Sequence, residues 1–331
     1  MDTAREWRGG QRQTLLLVEG LRALGHRVHV AAPPGGALAV HLGGDVLPLP
    51  AGADPRLPFV LRRLAGRLGP HVVAAQTPHA HGAAALAGLE PVVHRRVDFA
   101  VGRGPGGRWK VAHGRLFVAV SEAVRRVLIA GGVEEARIRV VADGVRPLEP
   151  APPDPSLAGS GPLVGAVGAL VAHKGHRILV DALARLPGVR LAIAGGGPLR
   201  RDLEARIREL GLEDRVVLLG PRPDVASVLA ALDLLVHPSL EEGMGQAVVE
   251  AMGLGVPVLV TRAGGLPEVV GPDVATVPPG DPDALAAAIR DRLANPGDTG
   301  AARRRALEVF SVERMVAGTL AAYREAAGGT P

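Results

Sequence analysis

Short apolar runs rich in β-branched residues alternate along this chain with longer stretches of helical period, and the alternation breaks off once and then restarts. Such a pattern constrains the chain to parallel sheets covered by helices on both faces. Candidate strands in the first half fall at 27–32, 45–48, 71–75, 91–94, 116–120 and 138–142. In the second half they fall at 163–167, 189–194, 216–219, 234–237 and 257–261. Helices are expected from His176, over 199–210, from Gln246, and as closing helices over 281–327. Between the halves, residues 147–162 (PLEPAPPDPSLAGSGP) hold too many prolines to continue either element. At 331 residues the chain also exceeds what one core ordinarily serves. The expectation is α/β: a doubly wound domain over 1–147, a linker over 148–162, a second doubly wound domain over 163–310, and a helix over 311–331 that crosses back to the first domain.

The start of the chain breaks the pattern. A glycine pair opening a helix, here Gly9 and Gly10 before QRQTLLLVEGLRALG, normally follows the first, central strand of such a sheet. Only MDTAREWR precedes it. The first strand is therefore expected to be missing or truncated, with Met1 inside the gene and Asp2 to Ala4 a stub.

Composition narrows the function. The absence of cysteine excludes disulfides, thiolate zinc sites and thiol nucleophiles together. No apolar run approaches the ~18 residues of a spanning helix, and the first ten residues lack a signal-peptide core, so a cytoplasmic location is expected. Residues 1–150 carry 20 Lys+Arg against 12 Asp+Glu, whereas 151–331 carry 18 against 21, so the basic charge belongs to the first half. Aromatics are 2% of residues, too few for stacking platforms, and no nucleic-acid partner is expected. Residues 56–69 (RLPFVLRRLAGRLG) set Leu57, Val60, Leu61, Leu64 and Leu68 on one helical side with Arg62, Arg63 and Arg67 nearby. That pattern is first of all that of a core-facing helix, and it is also compatible with a peripheral contact with an anionic membrane at its inner face.

The strongest chemical signal is PSLEEGMGQAVVEAMGLGVPVLVTRAGGLPE, residues 238–268, in which seven residues separate Glu242 from Glu250. Gly243 and Gly245 form a loop opening a helix at Gln246, and a helix N-terminus offers unpaired N–H donors and partial positive charge to an anion, most simply a diphosphate. Glu250 lies one turn in, some ~7 Å along, a suitable reach from phosphate to an adjoining ribose whose two hydroxyls a carboxylate can accept. Glu242, ahead of the helix, faces the opposite end, the sugar. In VGAVGALVAHKGHRILVDAL, residues 164–183, Lys174 follows a strand and can neutralise phosphate as a point charge. An exposed turn lysine and a solvated loop glutamate are the plainer alternatives for these residues.

These segments together resemble a known family. VGALVAHKGH, IAGGGPLRRDLE, LGPRPDV, HPSLEEGMGQAVVEAMGLGVPVLVT and GGLPEVV, in this order, resemble the donor half of family 4 retaining glycosyltransferases (glycosyl transferases group 1). GGQRQTLLLVEGLRALGHRVHVAAPPG, VAVSEAVRR and RIRVVADGV resemble the acceptor half. The resemblance implies the GT-B fold, two Rossmann-like domains facing across a cleft. It implies that Glu242 contacts the donor sugar, that Glu250 holds the ribose, and that Lys174 meets the diphosphate. Met244, Gly245 and Gln246 would add main-chain contacts, and Gly10 would face the diphosphate from the other domain. The companion arginine is absent: Ala169 stands there. Arg8, Arg12 and Arg222 are the substitutes at hand, with Arg222 placed in the donor site. The family's acceptor-side histidine is also not evident in PVVHRRVDF, residues 91–99, where Asp98 is the preferred polar partner near the reacting sugar and His94, Arg95 and Arg96 stand beside it. His79 and His81 could line the same region or serve a capping loop.

Asp281 and Asp283 match a metal-binding pattern, but Asp281 before Pro282 reads as a helix cap. Transfer is therefore expected to be metal-independent, with no cofactor beyond a nucleoside diphosphate sugar as co-substrate. The partners expected are that nucleotide sugar and a glycan or lipid-linked acceptor of cell-envelope type. A sugar-nucleotide epimerase and a non-catalytic nucleotide-sugar-binding protein are the competing classes.

Overall fold

The computed structural model describes residues 1–97 and 104–328. The chain forms two compact units, Met1–Gly144 with the segment from Ser311 onward, and Val145–Phe310.

In the first unit the strands are β1 (Ala31–Ala32), β2 (Leu47–Pro48), β3 (Ala74–Ala75), β4 (Val92–Arg95), β5 (Leu116–Ala119) and β6 (Ile138–Val140). The helices are α1 (Gly9–Ala23), α2 (Ala37–His41), α3 (Leu57–Leu68), α4 (Pro78–Leu86), α5 (Pro105–Ala112) and α6 (Glu122–Ala130). Pairing is parallel, β1 with β2 and β3-β4-β5-β6 in order. Residues Met1 to Thr3 fill the slot between β1 and β3. The Asp2 N–H donates to the Ala31 carbonyl (3.0 Å), the Gln76 N–H to the Met1 carbonyl (2.9 Å) and the Gly52 N–H to the Thr3 carbonyl (3.0 Å). These three residues represent the central strand that the glycine pair implies. The strands expected at 27–32, 45–48 and 71–75 contract to two residues each, β1 and β3 flanking residues Met1 to Thr3 and β2 pairing with β1.

The second unit carries β7 (Leu163–Val167), α7 (His176–Leu183), β8 (Arg190–Ala194), α8 (Arg200–Glu209), β9 (Val216–Gly220), α9 (Val225–Ala230) and β10 (Leu234–His237). It continues through α10 (Gln246–Leu254), β11 (Val258–Thr261), α11 (Leu266–Val270), β12 (Thr276–Val277), α12 (Pro282–Ala294) and α13 (Thr299–Val309). The sheet is parallel throughout, in the order β12-β11-β10-β7-β8-β9. Its core joins Val164, Leu191, Ile193, Leu234 and Val236 of the strands to Leu179, Leu183, Leu203, Leu285 and Ile289 of the helices. Each such side chain contributes about 1.5–3 kcal/mol on burial. Strand order reverses between β7 and β10, so the loops after these two strands diverge, one toward each edge.

The last helix, α14 (Val312–Ala326), belongs to the first unit, where Met315 and Val316 pack on Leu16, Leu17 and Leu21 of α1. Its Ala322 and Ala326 cover Val92, Leu116 and Val118.

The structure bears on two readings of the sequence. The proline-rich segment is not a free tether. Its residues 155–157 make a 3-10 turn with Leu157 buried, the Asp154 N–H donates to the Ser227 carbonyl (3.0 Å), and the Asp154 carboxylate pairs with Arg222 (2.8 Å). In α3, Leu57 and Leu61 are buried, with Val60 and Leu64, against Leu49, Ala83, Ala84 and Ala87, so the apolar side of this helix faces the core. Only its outer face is open, bearing Phe59 (78% exposed) with Arg62, Arg63 and Arg67.

Candidate functional site

The divergence of β7 and β10 brings Lys174 and Glu242 together. Lys174 ends a 3-10 turn (Ala172–Lys174) after β7, and Glu242 lies on the loop after β10. Gly175 follows with φ +68°, and a Cβ there would collide with the main-chain carbonyl of Pro238, so the two loops pack backbone to backbone. The Leu240 N–H donates to the His173 carbonyl (2.7 Å) and fastens one loop to the other. The Gly265 N–H donates to the Glu242 carbonyl (3.0 Å), and the Thr261 hydroxyl to the Ser239 carbonyl (2.5 Å).

Glu242 is the hub. Its Oε2 accepts from the Lys174 ammonium, from His237 Nε2 (2.8 Å) and from the Ser239 hydroxyl (3.4 Å). Because a carboxylate can only accept, Nε2 of His237 carries the proton. The side chains of Lys174 and Glu242 are 19% and 13% exposed. Burial by itself pushes the Glu242 carboxyl up, but the hydrogen bond from His237 and the charge of Lys174 outweigh it and hold the group well below the usual carboxylate range. Burial lowers His237, opposed by its bond to Glu242, so this histidine serves as a neutral donor. Lys174 and Glu242, assigned separately to diphosphate and sugar, form one ion pair in the protein without ligand.

Beyond this hub, Met244 is buried and Gly245 adopts φ +89°, where a Cβ would lie 2.6 Å from Leu266 Cδ2. Gly245 is the N-cap of α10, which has no side-chain cap and no acid in its first turn, and Gln246 is its first residue. Gly245 has no side chain with which to cap the first N–H groups of α10, and a helix N-terminus of this kind carries partial positive charge. Glu250, one turn in, is buried. Gly10 sits in the first turn of α1, likewise without a side-chain cap or acid, with open space where a Cβ would be. By contrast, the Asp281 carboxylate accepts from the N–H groups of Asp283 and Ala284 (2.9 Å each) and caps α12, while Asp283 pairs with Arg185.

Other sequence candidates have different partners. Arg222 is held by Asp224 (2.7 Å) and by Asp154 (2.8 Å), so two carboxylates already neutralise the substitute proposed for the missing arginine. Arg8 pairs with Glu6. Asp98 lies outside the described residues. His94 is buried, its Nε2 bonded to the Tyr323 hydroxyl (2.8 Å), and Arg96 binds Asp143 (2.8 Å) and Gln76 (2.7 Å). His81 is buried edge-on to Phe117, and His79 is exposed.

Sequence reasoning missed His237, Ser239 and His176. No periodicity marks a strand-end histidine as the donor to a glutamate five residues on, since that contact depends on how the loop turns back.

Comparison with known proteins identifies the family. Residues 161–295 match the family of glycosyl transferases group 1, and residues 7–147 match glycosyltransferase family 4. The 2-deoxystreptamine glucosyltransferase of Streptomyces kanamyceticus is 32% identical over 244 residues, 67% of this chain and 63% of that protein. The D-inositol 3-phosphate glycosyltransferase of Mycobacterium marinum is 37% identical over 235 residues, 65% of this chain and 50% of that protein. The chain thus spans about half to two-thirds of the length of these relatives. Among solved structures, Anabaena HepE in complex with UDP-glucose has a TM-score of 0.80 at 25% identity, covering 97% of this chain and 98% of that one. Such neighbours are GT-B glycosyltransferases, and the two parallel-sheet units are consistent with their two Rossmann-like domains. With its two halves matched in order to the two models, the chain belongs to the group 1 glycosyltransferases of family 4.

Proposed function

We propose that this protein transfers a sugar, with retention of configuration, from a nucleoside diphosphate sugar to a hydroxyl of a glycan or lipid-linked acceptor. The observation that carries the proposal is the Lys174–Glu242–His237 hub at the strand-order reversal, ahead of the N-terminus of α10. A diphosphate seated on that terminus accepts from the first N–H groups of α10 and from Lys174, while Glu250 accepts from the ribose hydroxyls. Glu242, kept ionised by His237 and Lys174, accepts from a hydroxyl of the transferred sugar. As the glycosidic bond breaks, negative charge grows on the leaving diphosphate. Lys174 and the helix terminus meet it with a fixed charge and fixed dipoles, the general strategy for stabilising such a transition state. Charge handling of this kind needs no metal ion, and unchanged turnover in EDTA is the expected result.

UDP-glucose is the first donor to test, because it is bound in a structural neighbour. The two curated relatives are named for a cyclitol phosphate and an aminocyclitol as acceptors, so polyhydroxylated rings head the acceptor panel. The outer face of α3, with Phe59 among Arg62, Arg63 and Arg67, supports a peripheral contact with anionic lipid during use of a lipid-linked acceptor. The decisive experiment follows UDP release and product formation with and without acceptor. Glu250→Ala is expected to weaken donor binding and Lys174→Ala to lower turnover. Isomerised nucleotide sugar in the absence of acceptor would identify an epimerase, and binding without consumption a non-catalytic binder; wild-type donor affinity in both variants would refute the site.

A further inference from the structure

His176, the first residue of α7, is 5% exposed; neither of its ring nitrogens has a partner at full hydrogen-bond geometry, and the main chain of Gly168 and Ala169 lies beside them. A neutral imidazole carries one donor and one acceptor, and native interiors rarely leave both unused. The ring lies in the layer next to the hub. A Cβ on Gly168, at the end of β7, would sit 3.9 Å from His176 Nε2 and 3.9 Å from Lys174 Cδ, so the histidine and the lysine stem flank the same point. The charged and titratable groups facing the ring are Lys174 on the preceding turn and His237 at the end of β10, the latter bonded to Glu242.

The charge balance of the site gives this ring a task. A donor diphosphate brings two negative charges, whereas Lys174 is already shared with Glu242 and Arg222 is neutralised by Asp154 and Asp224. Resting on the donor reading above, we propose that His176 takes up a proton when the diphosphate binds and supplies, as an imidazolium, the positive charge that the Lys174–Glu242 pair does not. It acts as a positioning residue: once protonated, both ring nitrogens donate, and the main chain of Gly168 and Ala169 beside them favours that form. In the protein without ligand, burial, then His237 and Lys174, hold the ring down at about 4, so it is neutral near pH 7. The negative charge of a bound diphosphate opposes these effects and moves the titration up by about two pH units, the size one nearby charge supplies at an effective dielectric of about 20.

The test is calorimetric titration of the full-length chain with UDP-glucose, whose diphosphate diester does not itself titrate near neutrality, in buffers of different ionisation enthalpy. The expected results are uptake of about half a proton at pH 6 and binding about tenfold tighter at pH 5 than at pH 8. His176→Leu, which removes unpaired polar atoms and fills the space with an apolar side chain, is expected to stay folded, bind without uptake and lose the pH dependence. His176→Asn, which keeps a donor that cannot ionise, is expected to behave the same way. Wild-type binding without proton uptake overturns the proposal, and so does uptake that persists in both variants, which would assign the proton to His237. Absence of binding at any pH is a different failure, that of the donor reading itself, and takes this inference with it.

Discussion

Gly175 tests whether the hub depends on two backbones meeting. It holds φ +68°, a conformation costing a non-glycine residue about 1–2 kcal/mol, and an added Cβ would overlap the Pro238 carbonyl, a main-chain atom that cannot rotate away. Relieving such an overlap by moving a packed strand end costs a further ~1–3 kcal/mol. Gly188, in the same unit, supplies the control: it holds φ +78° with open space around the Cβ position, so Gly188→Ala carries the backbone cost alone. In urea unfolding, Gly175→Ala should therefore lose about 2 kcal/mol more than Gly188→Ala. The shift also draws the loop bearing Ser239 and Glu242 away from Lys174. Loss of one charge-assisted contact, ~1.5–3 kcal/mol, predicts UDP-glucose binding weaker by about ten- to a hundredfold in Gly175→Ala and unchanged in Gly188→Ala. Equal destabilisation by the two substitutions, or wild-type donor affinity in Gly175→Ala, would refute the reasoning.

Four further outcomes are expected. Glu242→Gln frees the Lys174 charge and removes a charged acceptor for the sugar, so turnover should fall about ten- to a hundredfold while UDP affinity is not weakened; a collapse of UDP affinity would make Glu242 merely structural. Because burial lowers His176 from 6.5 to about 4, the unfolded chain binds the extra proton between these values. Wild-type stability should then fall, relative to His176→Leu, by about 1.4 kcal/mol per pH unit from pH 6 to pH 4 and run parallel below, as urea unfolding across pH would read. Tyr323→Phe leaves buried His94 without its hydrogen-bond partner and should cost about 1–3 kcal/mol of stability, with unchanged UDP-glucose affinity as the calorimetric control. Arg62→Glu with Arg63→Glu should abolish sedimentation with anionic liposomes, and wild-type binding should fade between low and high salt; binding indifferent to salt would remove the α3 contact.

Local signals carried much of the architecture. The strand at Leu163–Val167, the strand at Leu234–His237 and the starts of α7 and α10 all fall where apolar periodicity and glycine placement put them, because each is decided within a few residues. The Asp281 cap is legible for the same reason, as its acceptor and its donors are three residues apart at most. Gly175 and Gly245 were also visible, since a left-handed φ ahead of a helix leaves a mark in residue type. Less legible were elements whose extent depends on neighbours: β1, β2 and β3 are two residues each, shorter than their apolar runs.

What the tertiary structure alone decided is who pairs with whom. Lys174 and Glu242 are 68 residues apart in the chain, and His94 and Tyr323 are 229 apart. Arg222, already beside Asp224 in the sequence, is also taken by Asp154 of the proline-rich segment. The apolar stripe of α3 would suit a core or a membrane until Leu49 and the α4 alanines cover it. Chain-local preference acts through backbone dihedrals and side-chain period over one or two turns, whereas an ion pair or a buried imidazole depends on which loops a strand order brings side by side. The sequence by itself therefore determined the alternating elements and the anion-ready helix end, and the parallel register at the β7–β10 reversal determined the charges that end must work with.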